Sequence, residues 1–123
     1  MTTLHLVLPE PPSANRYWRH VGRNVVLSAE AKAYRDTVFN AYLTANRHQR
    51  IAFPTQAVEV RLEWHRGAKR GDLDNRIKQV LDSLRGLAYK DDKQIAAITA
   101  VRYEAPKQGK LLVWVDLYEV ATP

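Results

Sequence analysis

A stretch of strict alternation between apolar and charged residues constrains the fold of this chain more than any other feature. Its apolar positions are Val58, Val60, Leu62 and Trp64, and its charged positions are Glu59, Arg61 and Glu63. Because successive side chains of a β-strand point to opposite faces, this pattern predicts a strand with one face in the core and one charged face. Other elements must therefore pack on the apolar face.

An amphipathic helix is predicted to begin shortly after this strand, close to Asp74. Its apolar residues follow the i, i+3, i+4, i+7 spacing of one helix face, at Ile77, Val80, Leu81 and Leu84. Arg85-Gly86 is a typical helix end, since glycine readily takes the left-handed conformation beyond the last turn. The helix and the preceding strand are joined by a basic segment that contains glycine, residues 65–71.

Four further elements complete the predicted fold. Leu4–Leu8 alternates as a short strand, and Ser28 is the predicted N-cap of a first helix that runs to about Asn46. Residues 95–103 are predicted as a mostly buried strand, joined by a long hairpin connection to a last strand over 111–120. We therefore expect an α+β fold over residues 1–123, a single domain with a mainly four-stranded mixed sheet and two main helices packed on it.

The charge of the chain indicates an anionic partner. Nineteen Lys and Arg residues against thirteen Asp and Glu residues give 19 − 13 = +6 at pH 7, with a pI near 9.8. Such a balance favours nucleic acid, although a soluble basic protein has the same composition. The basic residues lie in two clusters, which are Arg16, Arg19, His20 and Arg23, and Arg61, Arg66, Lys69 and Arg70.

The cysteine count and the hydropathy of the chain exclude several classes of protein. The sequence contains no cysteine, so disulfides are excluded and any metal must take oxygen or imidazole ligands. No run of apolar residues reaches the length of a membrane span, and the first residues do not resemble a secretion signal. We expect a cytoplasmic protein that does not bind membranes.

Two aspartates at the start of the second helix have two interpretations. Asp72 or Asp74 is suited to cap the helix, because a carboxylate accepts hydrogen bonds from the first-turn N–H groups. Alternatively, two carboxylates two residues apart can share a hard divalent cation, with Lys78 one turn beyond Asp74 on the same side of the helix. The local sequence leaves both interpretations open.

A second acidic pair, Asp91-Asp92, follows the helix and also has two interpretations. The simpler one is a turn. The other is that one of the pair joins Asp72 and Asp74, since the predicted helix is about 18 Å long and the six-residue link to Asp92 spans at most about 20 Å. Asp92 therefore reaches the helix start of its own chain only through an extended link, and otherwise serves a second subunit.

Convergence of three carboxylates would favour Mg²⁺, with Mn²⁺ as a possible substitute, because hard cations prefer oxygen ligands. Such a metal assists phosphodiester hydrolysis, and Lys78 would place a positive charge near the oxygens of the transition state. The segment from Asn15 to His20 mixes aromatic and basic residues, a composition that suits stacking on bases and contact with phosphates. Tyr17 and Trp18 are equally able to fill the core.

Taken in order along the chain, these residues resemble the RusA family of Holliday junction resolvases. The resemblance spans nearly the whole chain, and the segments that carry it are Pro11-Pro12-Ser13-Ala14-Asn15-Arg16-Tyr17, Arg19-His20, Ser28-Ala29-Glu30, Ala33-Tyr34-Arg35-Asp36, Asp72-Leu73-Asp74-Asn75, Lys78, Asp91-Asp92 and Gln94. It implies a homodimeric, Mg²⁺-dependent endonuclease that nicks two opposed strands of a four-way DNA junction, with no small-molecule cofactor. By position, it assigns metal binding and catalysis to Asp72, Asp74 and Asp92, and a catalytic role to Lys78.

The predicted DNA contacts come from the two basic segments and from the start of the second helix. They are Asn15, Arg16, Tyr17, Arg19, His20, Arg66, Lys69, Arg70, Asn75 and Arg76. Two alternatives to a junction resolvase are a non-catalytic, basic nucleic-acid-binding module and a metal-dependent nuclease that acts on other branched DNA.

Overall fold

A computed structural model of the protein describes residues 3–12, 18–46, 51–67 and 71–119. The elements in chain order are strands β1 (Leu4–Leu8), β2 (Trp18–Val21) and β3 (Asn24–Leu27), helix α1 (Ala29–Ala45), strand β4 (Val58–Arg66), helix α2 (Asp74–Leu84), a short 3₁₀ helix (Asp92–Gln94), and strands β5 (Ile95–Glu104) and β6 (Lys110–Leu117). The predicted α+β class, with a mixed four-stranded sheet and two helices, is confirmed.

The main sheet has the strand order β1-β6-β4-β5. β6 is antiparallel to both of its neighbours, β1 and β4, whereas β5 is parallel to β4. The predicted hairpin between the last two strands is therefore wrong. The reason is that α2 is a crossover connection, which returns the chain to the end of the sheet where β4 began and makes β5 parallel to β4. β6 pairs with the opposite edge of β4.

The core lies between the sheet and the two helices. The alternation in β4 is confirmed, since Val58, Val60, Leu62 and Trp64 are all buried. They pack with the inward residues of β1 and β6 and with one face of each helix, and the helix members are Tyr34, Val38, Tyr42, Val80 and Leu84. The other face of the sheet has no helix packed on it in the described part of the chain.

Helix α1 begins as the sequence predicts. The Ser28 hydroxyl accepts a hydrogen bond from the Ala31 N–H at 3.1 Å, and Glu30 lies in the first turn. Before this helix, β2 and β3 form a separate two-stranded antiparallel sheet. Gly22 takes a φ of 60° in the turn between them, where a non-glycine residue would be strained. No helix within the described ranges is long and apolar enough to cross a membrane.

Strand β5 differs from its prediction in burial. It was expected to be mostly buried, but it is the edge strand of the sheet, and Ile98, Val101 and Tyr103 are exposed. A continuous apolar sequence is typical of a strand covered on both faces. Here the sequence has that character, but neither face is fully covered.

Candidate active site

The two aspartates before and at the start of α2 point to solvent and do not cap it. Asp74 is the first residue of the helix, and the preceding Leu73 already has helical backbone angles. Within the described ranges, no side chain accepts a capping hydrogen bond there, so the capping interpretation of Asp72 and Asp74 is wrong. Asp72 and Asp74 are both exposed, and neither carboxylate forms a hydrogen bond or ion pair with a described residue. Their oxygens are available to an external ligand.

The two described ends of the segment that connects β4 to Asp72 are held by charged side chains. At its end, the Gly71 carbonyl accepts a hydrogen bond from Arg66 Nη1 at 3.0 Å. Arg66 is itself fixed by two bonds to the Glu104 carboxylate, at 2.8 and 3.0 Å. Such a paired guanidinium and carboxylate has a defined orientation. Arg66 thus links the carboxyl end of β5 to the residue before Asp72.

At the start of that segment, the Gly67 N–H donates to Glu10 Oε1 at 2.9 Å. The same oxygen accepts the Trp64 indole N–H at 3.0 Å. Gly109 makes this arrangement possible, because a Cβ at that position would overlap the Glu10 carboxylate. Sequence reasoning missed Glu10, which stands in a proline-rich segment and carries no local signal of a partner more than fifty residues away.

Arg76, a predicted DNA contact, instead lies against the protein. Its guanidinium is 5.1 Å from the centre of the Trp64 ring, and Nη1 donates to the Pro11 carbonyl. Gly71 has a φ of 97°, and a Cβ there would press on the Arg76 guanidinium. This placement favours a role for Arg76 in holding the residues around Asp72.

Lys78 lies on the exposed surface of α2, one turn beyond Asp74. Its Nζ is 3.4 Å from Asp82 Oδ1, and its side chain is 76% exposed. An ion pair this exposed is weak and easily exchanged. The Lys78 ammonium is therefore able to turn toward an anion that approaches the start of α2.

The two carboxylates of the second acidic pair have different roles. Asp91 caps the 3₁₀ helix, because its carboxylate accepts a hydrogen bond from the Lys93 N–H at 2.9 Å. In turn, Gln94 Oε1 accepts a hydrogen bond from the Asp91 N–H. The turn interpretation is thus correct for Asp91. The Asp92 carboxylate differs: Oδ2 is 3.4 Å from Arg85 Nη1, and the buried Oδ1 has no hydrogen-bond partner among the described residues.

Asp92 lies at the opposite end of α2 from Asp74. The link between the helix and Asp92 is not extended, because Ala88 N–H bonds back to the Leu84 carbonyl and Gly86 N–H to the Tyr89 carbonyl. The eleven residues of α2 span about 16 Å. Among the described residues, no group of three or more His, Asp or Glu side chains is arranged to hold a metal. One chain therefore does not bring Asp72, Asp74 and Asp92 together.

Tyr89 is a buried tyrosine that senses the charge of Asp92. Its ring is fully buried, and its hydroxyl donates to the Leu81 carbonyl at 2.6 Å. Burial raises the pKa of Tyr89 far above its usual value, and the charges of Asp92 and Asp82 raise it further. Tyr89 thus stays a neutral hydrogen-bond donor beside these carboxylates.

The remaining predicted DNA contacts are only partly described. Arg19 and His20 are exposed on β2, and Asn75 is half-buried in the first turn of α2. Five other predicted contacts lie outside the described residues, and they are Asn15, Arg16, Tyr17, Lys69 and Arg70.

Comparison with known proteins identifies the family. The family model described as endodeoxyribonuclease RusA matches residues 9–115. Two similar proteins, both named crossover junction endodeoxyribonuclease RusA, come from Enterobacteria phage 82 and Escherichia coli strain K12. Each is 37% identical over 113 residues, which cover 90% of this chain and 92% of the relative. The resemblance seen in the sequence is confirmed: the chain belongs to the RusA family of endodeoxyribonucleases.

Proposed function

We propose that this protein is a metal-dependent endonuclease that resolves four-way DNA junctions as a homodimer. The names of its relatives supply the substrate class, crossover junctions. The observation that carries the mechanism is the position of three carboxylates relative to α2. Two carboxylates at its start have no partner among the described residues, and a third at its end has one oxygen without a hydrogen bond to them.

The donor set fits a hard divalent cation. Asp72 and Asp74 present oxygens that no described protein group occupies, and Asp92 Oδ1 has no hydrogen bond within the described ranges. Aspartate oxygens are the ligands that Mg²⁺ and Mn²⁺ prefer. When bound, the cation would supply the Lewis acid for phosphodiester hydrolysis.

We infer that each site takes Asp72 and Asp74 from one subunit and Asp92 from the partner subunit. The link after α2 is folded and not extended, which favours delivery of Asp92 to the helix start of a second subunit over delivery within the same chain. A four-way junction needs two symmetric nicks, and a two-fold dimer with reciprocal sites provides them. This arrangement makes cleavage depend on assembly, since a lone chain lacks a complete ligand set.

Other residues of the chain serve DNA and the transition state. Lys78 provides a mobile positive charge close to Asp74, where negative charge develops on the phosphate oxygens. Exposed Arg19 and His20 are suited to hold the phosphate backbone. We leave Arg66 and Arg76 out of the DNA-contacting set, because their guanidinium groups are bound to Glu104, Gly71 and Pro11.

A synthetic four-way junction with labelled strands tests this proposal. Purified protein with Mg²⁺ is expected to nick opposed strands symmetrically, and excess EDTA is expected to stop the reaction. Asp74→Asn should abolish cleavage while it leaves the circular dichroism spectrum unchanged. Asp36→Asn, at an exposed carboxylate on α1, is the matched control and should cleave normally. Equal cleavage by the wild type and Asp74→Asn, or junction binding without cleavage, would overturn the proposal.

A further inference from the structure

The outer edge of β5 carries an unused set of backbone hydrogen-bonding groups. β5 is the last strand in the sheet order, and only its β4 side is paired among the described residues. It spans ten residues, Ile95–Glu104. Alternate N–H and C=O groups along this length therefore face outward, where they are able to pair with another strand.

This edge lacks the features that normally prevent strand association. Its first seven residues, Ile95–Val101, include no charged residue and no proline. The opposite edge of the sheet differs, because β1 has only five residues and is followed by Pro9. Short edge strands, prolines and charges discourage pairing with other chains. β5 is thus the edge suited to association.

Exposed apolar side chains lie on both faces of β5. Ile98 is in register with the buried Val60, on the face of the sheet that carries the helices, yet it is 46% exposed. Val101 and Tyr103 are 38% and 45% exposed, and they lie on the other face. The helices of one chain leave the helix side of β5 partly uncovered, so a covering element must come from elsewhere.

We propose that β5 pairs antiparallel with β5 of a second copy of this chain, which extends the two sheets into one sheet of eight strands. The two-fold axis would run perpendicular to the sheet. This inference rests on the proposed function for the requirement that Asp92 arrive from the partner subunit. It adds the surface through which the two copies meet.

The geometry of the sheet favours this surface over packing of the helix-free faces. Antiparallel pairing places the start of the partner's β5 beside the end of β5, where Glu104 is in register with Arg66. Asp92 lies just before β5. Antiparallel pairing therefore places Asp92 of the partner subunit near the end of β4, which leads to Asp72. Both α2 helices then lie on the same face of the sheet, which is the face that carries the exposed Ile98. Packing of the helix-free faces would leave the acidic groups on opposite outer surfaces.

A cysteine scan along β5 tests the interface directly. The chain contains no native cysteine, so single substitutions at residues 96–102 report only on the new thiol. A symmetric antiparallel pair sets one residue opposite its own copy, with Cα atoms about 4.5 to 5.5 Å apart, which suits a disulfide. Mild oxidation should therefore give a covalent dimer at one position of the scan and little at its neighbours. Val7→Cys, on the exposed opposite edge, should remain uncrosslinked.

Charge substitutions provide a second readout that does not need oxidation. Ile98→Lys and Val101→Lys should convert the dimer to a monomer in sedimentation velocity and abolish junction cleavage, with an unchanged circular dichroism spectrum. Val7→Lys should keep both assembly and activity. The proposed interface would be overturned if the wild type is a dimer but no cysteine variant along β5 forms a crosslink. A crosslink in Val7→Cys would also overturn it. If a cysteine variant along β5 crosslinks but the wild-type protein does not cleave junctions, the interface stands and the proposed function fails.

Discussion

The carboxylate of Asp92 lies 3.4 Å from the guanidinium of Arg85, at the far end of α2 from Asp74. The ion pair is half-exposed and therefore weak. It occupies only Oδ2, and the other oxygen has no hydrogen bond to a described residue. The two acidic elements of the site are separated by a rigid helix, not by a flexible segment. In the proposed site, a second subunit brings them together.

Removal of the Asp74 charge should affect metal binding more than folding. Because Asp74 accepts no capping bond, Asp74→Asn should lose only its interaction with the helix dipole, about 0.3 to 1 kcal/mol of stability. Mg²⁺ should raise the melting temperature of the wild type, since a ligand that binds the folded state stabilises it. Calorimetry with and without Mg²⁺ checks this, with Asp36→Asn as control. A loss of several kcal/mol without metal, or an unchanged Mg²⁺ response, would contradict the assignment.

Glu10 should act as a positioning residue for the approach to Asp72. Glu10→Gln weakens the acceptor shared by Trp64 and Gly67, and loss of such a bond costs about 1 to 3 kcal/mol. We expect a lower melting temperature and a lower cleavage rate, with the dimer retained. Glu59→Gln, at an exposed carboxylate on β4, should behave as the wild type. Equal stability and activity of the two variants would refute this role.

Loss of the Lys78 charge should slow cleavage without weakening the fold. Lys78 forms an ion pair with Asp82 that is exposed at the lysine, and such a pair contributes at most about 1 kcal/mol to stability. Removal of one group that stabilises transition-state charge, in contrast, lowers the rate about 100-fold to 1,000-fold. Single-turnover cleavage by Lys78→Met measures this effect. Lys93→Met, an exposed lysine of the 3₁₀ helix, is the control. Similar rates for the two variants would exclude a specific role for Lys78.

The buried tyrosines predict a loss of stability at high pH. Burial raises the pKa values of Tyr34 and Tyr89 well above the ordinary value, which is about 10. Above that pH, the unfolded chain releases these protons while the folded chain retains them, so the free energy of unfolding falls as pH rises. Tyr89→Phe should flatten this decline, although it loses the hydrogen bond to Leu81. Parallel stability curves for the variant and the wild type between pH 9 and 11 would contradict the prediction.

Local patterns predicted the elements that position the site. The alternation of β4, the apolar face of α2 and the Ser28 cap of α1 all depend on residues close in sequence, and the structure has each of them. The ordered acidic and basic segments also sufficed to indicate the family. These features follow from strand and helix periodicity, which a single sequence displays directly.

Long-range relationships were beyond local patterns. The order of β5 and β6 depends on the crossover through α2, and the inward direction of Arg66 and Arg76 depends on partners in β5 and in the proline-rich segment. Basic residues near a predicted nucleic-acid site look alike in sequence, whether they bind phosphate or protein. Capping by Asp72 or Asp74 failed because the chain enters α2 with Leu73 already helical.

Mixing two inactive chains tests the central claim most directly. Asp74→Asn and Asp92→Asn should each fail to cleave a four-way junction with Mg²⁺. If each site combines Asp72 and Asp74 of one subunit with Asp92 of the partner subunit, a mixed dimer contains one intact site and one site with both substitutions. Subunit exchange between the variants is then expected to restore nicking of one strand in the mixed dimers. Continued absence of cleavage in mixtures that contain verified mixed dimers would contradict the shared site.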